Sequence, residues 1–242
     1  MQDIYFIIFL IFAGQTAGSL LGLIRKPSDG LLYASLAFAG AMMVTISFAQ
    51  LLPESLEFTD IGCAAAFFAM GLIGFRLLDH VLPHVHPELL KKEGACTERS
   101  VKMLVIGIAL HNLPEGLAVG AGFATDPSMG LLIAIAITIQ DIPENLATIV
   151  PLYCLNNNRK KSFIILLGTA FFELAGFLLG YFVLTGMHMS IVGNALALAA
   201  GFMVYISFDE LLPSAKIREN LPRGILSLAL GVATVVLLGL LT

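Results

Sequence analysis

The chain is 242 residues long, 58% hydrophobic and only 12% charged, with 13 Lys and Arg against 17 Asp and Glu and a formal net charge of −4. Its mean hydropathy is +0.92. Soluble domains hold about 45–50% apolar residues, so this composition excludes a water-soluble globular domain, and its acidic balance argues against a nucleic-acid partner. What remains is an all-α, polytopic membrane protein.

A bilayer core about 30 Å thick is crossed by about 20 apolar residues of helix, and eight such stretches follow one another. The first, Ile4–Ile24, carries Gln15 and is preceded by Asp3 rather than a basic segment, so it is expected to remain in the mature protein. The second, Leu31–Leu52, holds Met42 and Met43 and ends on Leu51-Leu52-Pro53. The third, Ile61–Leu82, leads into residues 83–102, the one long polar connection, which contains His84 and His86. The fourth, Val101–Ala124, contains His111-Asn112-Leu113-Pro114-Glu115-Gly116, and the fifth, Met129–Tyr153, contains Gln140-Asp141-Ile142-Pro143-Glu144-Asn145. The sixth, Ser162–Gly186, has the lone acid Glu173. The seventh, Ser190–Pro213, ends on Asp209-Glu210-Leu211-Leu212-Pro213, and the eighth is Leu221–Thr242. The remaining connections are too short to fold alone, so residues 1–242 are expected to form a single transmembrane domain. Cys63, Cys96 and Cys154 are scattered and read as apolar filler.

Every Lys and Arg flanks an odd-numbered connection. Arg25 and Lys26 mark the first; Arg76, Lys91, Lys92, Arg99 and Lys102 the third; Arg159, Lys160 and Lys161 the fifth; Lys216, Arg218 and Arg223 the seventh. Even connections carry Glu54, Glu57 and Asp60, or Asp126. The positive-inside bias then makes the odd connections cytoplasmic, residues 83–102 included, and sets both termini outside.

Residues 39–53, AGAMMVTISFAQLLP, match residues 199–213, AAGFMVYISFDELLP, at nine of fifteen positions with one fixed offset. Weaker echoes pair AGSLLG at residues 17–22 with AGFLLG at 175–180, and HNLPEGLA at 111–118 with QDIPENLA at 140–147. Helices one and six, two and seven, and four and five are thereby related. Each pair is an odd number of crossings apart, so the members run in opposite directions: an inverted repeat with a 3+2+3 plan. Secondary transporters use this arrangement around a midplane site.

The chemistry concentrates in the middle of helices four to six. His111 and Glu115 lie one turn apart on one face, as do Gln140 and Glu144, and Asp141 and Glu173 add two further acids. An ionised carboxylate at the bilayer centre costs at least about 2.5–3.5 kcal/mol unless neutralised. No Lys or Arg occurs between residues 103 and 158 or between 162 and 215, so cations or protons must supply the balance. Two divalent ions would balance Glu115, Asp141, Glu144 and Glu173. Pro114 and Pro143 each remove a donor and free a carbonyl, on Leu110 and Ile139, which predicts broken helices beside the ligands. One imidazole, carboxylates and amide oxygens suit borderline ions such as zinc, with manganese and iron(II) also accommodated; copper(I) would call for sulfur ligands.

With these paired motifs on inverted-repeat helices, the chain resembles the ZIP family of metal transporters, the Zrt/Irt-like proteins, over essentially its whole length. It is similar to the bacterial subgroup with a two-metal centre. The resemblance implies a transport site of Met42, His111, Asn112, Glu115, Gln140, Asp141, Glu144 and Glu173. One ion would be held by Met42, His111, Glu115, Gln140 and Glu144. The other would use Asn112, Asp141 and Glu173 with the two shared glutamates. Met43 competes with Met42 for the thioether role. The chain departs from the usual pattern in placing Asn145 where many members have Gly.

Asp79, His84, His86, Asp209 and Glu210 form a candidate cytoplasmic exit, the alternative being ordinary solvated helix ends. The resemblance further implies divalent substrates (zinc foremost, then cadmium, iron(II) or manganese) and no organic cofactor. It also implies an inner-membrane location, a homodimer, and helices one, four, five and six moving as a unit against the others. The competing readings are a proton-coupled carrier of an organic solute and an intramembrane metalloenzyme; the latter lacks an HExxH pair.

Overall fold

A computed structural model describes residues 2–25, 27–81 and 98–240. Among them there are eight helices long and apolar enough to cross a membrane. They are α1 (Gln2–Ile24), α2 (Asp29–Phe58), α3 (Ile61–Val81), α4 (Glu98–Thr125), α5 (Pro127–Asn156), α6 (Arg159–Leu184), α7 (Met189–Ser214) and α8 (Leu221–Gly239), the last preceded by a 3-10 turn at Ile217–Asn220. Caps fix their starts. The Ser28 side chain accepts from the Leu31 N–H, Asp126 from Ser128 and Met129, and Asn158 from Lys161. Pro127 sits at the start of α5, where its missing N–H costs nothing. Asn157 ends that helix in the left-handed conformation, φ 48°.

Two features differ from the sequence-based expectation. The second helix does not stop near its proline but runs on to Phe58, whereas the seventh ends at Ser214, one residue past Pro213 as expected; both contain a feature the sequence did not suggest. Each passes through a π-helical turn, Ser47–Leu51 in α2 and Ser207–Leu211 in α7, and then resumes with Pro53 or Pro213 in its first turn. The proline has no N–H for an α-type bond, and the wider turn absorbs the break, with the Leu52 and Leu212 N–H groups bonding back to Ser47 O and Ser207 O. The serine hydroxyls donate to Met43 O and Met203 O at 2.9 and 2.8 Å. Nor are α4 and α5 broken: they run unbroken through Pro114 and Pro143 for 28 and 30 residues. Each proline deletes a single bond, while close packing against α6 and α1 holds both sides of the gap together.

The inverted repeat is visible in the packing. Helices α4·α6 and α1·α5 form one set of close pairs, and α3·α7 and α2·α8 the other. The buried residues of α3 are Ala64, Gly71 and Phe75; those of α8 are Gly224, Gly231 and Val235, each 160 positions later. Gly71 lies against Leu198 O and Gly201, and Gly231 against the repeat mates Phe38 O and Ala41. In the other set, Gly18 meets Ile142 O and Asn145 as Gly176 meets Leu113 O and Gly116. Helices α2, α4, α5 and α7 are the most buried, α3 and α8 the least. Tyr5, Phe9, Phe182 and Leu237 point outward, where lipid solvates them.

Candidate metal centre

The unbroken α4 and α5 carry their motifs to the middle of the bundle. His111, Asn112, Glu115, Gln140, Asp141, Glu144 and Glu173 are all at most 5% exposed. Glycines set the spacing. A Cβ at Gly116 would overlap Glu173 O, so the absence of a side chain there lets α6 bring Glu173 against the α4 motif.

Hydrogen bonds then orient the donors. Gln140 Nε2 donates to Glu115 Oε1 at 2.5 Å. Asn112 Nδ2 donates to Thr169 O at 3.0 Å and to Thr169 Oγ1 at 3.3 Å. Gln15 Nε2, reaching in from α1, donates to Glu173 Oε2 at 2.8 Å. For Gln140 and Asn112 the amide nitrogen is thus used by the protein, which leaves the amide oxygen available to a cation; the Gln15 oxygen instead faces the Thr169 hydroxyl.

Several oxygens remain. Among the described residues, Glu115 Oε2, Gln140 Oε1, Asp141 Oδ2 and Glu144 Oε2 are buried and accept no hydrogen bond. Asp141 lies in the field of Glu173, Glu115 and Glu144, and Glu144 in that of His111 and Glu210. Buried polar atoms are normally satisfied, and the exceptions call for an explanation such as an ion. These four oxygens and Asn145 Oδ1 stand on the two repeat-related motifs; the other such atoms among the described residues are the hydroxyls of Ser19, Ser55 and Ser214, with Glu210 Oε2 placed against His111. Glu115 and Glu144 are themselves repeat mates, 29 positions apart, which suits them to bridge two ions. The donor set of imidazole, carboxylate and amide oxygen fits divalent ions of the zinc type.

The remaining sequence candidates are distributed as follows. Met42 and Met43 are both fully buried, so burial does not separate them. Glu210 lies on the π turn of α7, buried, with its Oε2 2.9 Å from His111 Nε2; it is deeper than a helix-end position suggests. Phe75 of α3 stacks on the same imidazole, with ring centroids 6.1 Å apart. Asp79 is half-buried and accepts from the Tyr205 hydroxyl at 3.5 Å, and Asp209 acts on the same phenol electrostatically. His84, His86 and Cys96 lie outside the described residues. Cys63 and Cys154 are free and exposed.

No three His, Cys, Asp or Glu among the described residues are converged closely enough to hold one ion in this arrangement. The contacts above give the reason: Glu210 engages His111, Gln140 engages Glu115 and Gln15 engages Glu173. Thr169 escaped the sequence reading, and Gln15 entered it by register alone, without a role. Thr169 has no sequence signal beyond its position one turn before Glu173. Gln15 had one, its repeat register with Glu173, 158 positions on.

Residues 92–239 match the family described as "ZIP Zinc transporter". The zinc transporter ZupT of Escherichia coli O7:K1 (strain IAI39 / ExPEC) is 35% identical over 221 residues, covering 87% of this chain and 86% of that protein. ZupT of Shigella flexneri gives the same figures, and that of Enterobacter sp. (strain 638) is 34% identical over the same extent. The match covers the region that bears the buried motifs, and the relatives extend it over most of the remaining length. The chain belongs to the ZIP family of metal transporters.

Proposed function

We propose that the protein carries divalent transition-metal ions, zinc foremost and cadmium, iron(II) or manganese by the same donors, across the cytoplasmic membrane into the cell. The observation that carries this reading is the group of buried, unpartnered oxygens on Glu115, Gln140, Asp141 and Glu144, with no Lys or Arg between residues 103 and 158. A bound cation would satisfy all of them at once. The first ion takes His111, Glu115, Gln140 and Glu144, with a thioether from Met42; the second takes Asn112, Asp141 and Glu173, and the two glutamates are shared.

Transport rather than catalysis follows from the donor set: carboxylates in such number leave a bound ion little Lewis acidity to activate water. The ion enters from the acidic outer connections, near Glu54, Glu57 and Asp60, and loses water on the way in. It leaves past Glu210, Asp209 and Asp79 toward His84 and His86. The set α1, α4, α5 and α6 moves against α2, α3, α7 and α8, each set keeping its own close helix pairs. The chain acts as one transmembrane domain, with both termini outside, in a homodimer.

Isothermal titration of detergent-purified protein tests the reading. Two zinc ions per chain are expected, with protons released on binding because the ligands must be deprotonated. A protein that binds no divalent ion would overturn it.

A further inference from the structure

Gln15 is fully buried on α1, belongs to neither buried motif, and nonetheless makes a direct contact with a proposed ligand. Its Nε2 donates to Glu173 Oε2 at 2.8 Å. Gln15 and Glu173 are repeat mates, so the inverted repeat brings the same position of its two halves face to face. Two glutamates here would set carboxylate against carboxylate. With the amide in one half, the repulsion becomes a charge-assisted hydrogen bond, the stronger kind.

The contact extends into a chain. Thr169, one turn before Glu173 on the same face of α6, donates its hydroxyl to Leu166 O at 2.7 Å and stands 3.5 Å from Gln15 Oε1, a contact that shares the same proton. Its hydroxyl and carbonyl oxygens accept both contacts of the Asn112 amide nitrogen. The amide of Asn112 therefore has its nitrogen committed to α6 and its oxygen turned away from it. Glu173 likewise has one carboxylate oxygen committed to Gln15. The three residues joined in this way, Asn112, Thr169 and Glu173, include two of the three donors that serve the second ion alone. None of these hydrogen bonds reaches His111, Gln140 or Glu144.

We infer that Gln15 and Thr169 are positioning residues for the second ion: they fix which oxygens of Glu173 and Asn112 face it, and leave the first ion's donors untouched. The inference rests on the two-ion reading above and adds to it a network that sets one station independently of the other. Removing the Gln15 amide frees Glu173 to turn, so the second ion must order the carboxylate itself.

The test is zinc titrated into the full detergent-purified chain, read as a two-step isotherm, for wild type, Gln15→Met and Thr169→Val. Methionine preserves length and apolar bulk but cannot donate. Gln15→Met is expected to leave the first step within about twofold and to weaken the second by about tenfold, the size of one lost hydrogen bond to a charged group. Thr169→Val keeps the carbonyl contact to Asn112, and a smaller loss, about threefold, is expected in the second step alone. Both steps unchanged, or both weakened alike as general loosening would do, overturns the inference. If Gln15→Met does not fold, Thr169→Val decides by the same criterion. A wild type that binds no zinc would instead remove the two-ion reading itself, and that outcome is distinct from two normal steps in both variants.

Discussion

Single side chains decide whether an ion is held. In the proposed site His111 and Glu144 are donors to the first ion, and no other imidazole stands among the described buried residues. His111→Ala and Glu144→Ala are each expected to abolish the first binding step while leaving helical content unchanged, which titration beside circular dichroism would check. Glu210 makes a different prediction. It already engages His111 Nε2 at 2.9 Å, so under the proposed function it would compete with the incoming ion and favour its departure. Glu210→Gln should keep zinc affinity at least at the wild-type level and slow turnover; a weakened affinity would contradict this role. Seven of the proposed ligands were legible because polar residues in an apolar span are costly and conspicuous. The placement of Glu210 was not. A π turn takes one extra residue, which rotates everything after it by about 100° relative to an α-helical count, and no 3.6-residue pattern reveals that.

Element ends and close approaches set where those side chains stand. Spans and their order were legible from hydropathy alone, whereas continuity through proline was not, because a sequence gives the lost bond without the neighbours that hold the helix together. Gly116 is the sharpest case. Gly116→Ala would push a methyl into the Glu173 carbonyl, and overpacking of this kind costs about 1–3 kcal/mol. Lower thermal stability together with a weakened second ion is expected, since it is Glu173 that must move. At the outer end, the Ser128 hydroxyl and then its N–H hold the exposed Asp126 carboxyl below the usual carboxylate range. A depressed value means that this cap stabilises the fold at neutral pH and is lost as pH falls through the folded-state value. Asp126→Ala should therefore lower the melting temperature at pH 7, and the gap from wild type should narrow on acidification. Melting curves in detergent across that range would check it.

At the scale of the whole molecule, the inverted repeat unites fold and function. Its two sets of helix pairs each keep their own glycine contacts, and the proposed ligands apart from Met42 all belong to the set containing α4, α5 and α6. The repeat was legible in outline, from nine matched positions in two helices. The relation of α3 to α8 followed only from the 3+2+3 plan and not from any residue match, because their shared buried positions, Ala64 with Gly224 and Phe75 with Val235, differ in type and resemble any apolar segment. The homodimer is checked by light scattering in detergent: a protein mass of twice 25.8 kDa is expected, and a mass of one chain would contradict it.

Metal uptake into liposomes containing the purified protein tests the central claim most directly. Saturable zinc uptake by wild type, lost in His111→Ala and Glu144→Ala, is the result expected. No flux of zinc, cadmium, manganese or iron(II) through correctly folded wild type would contradict it.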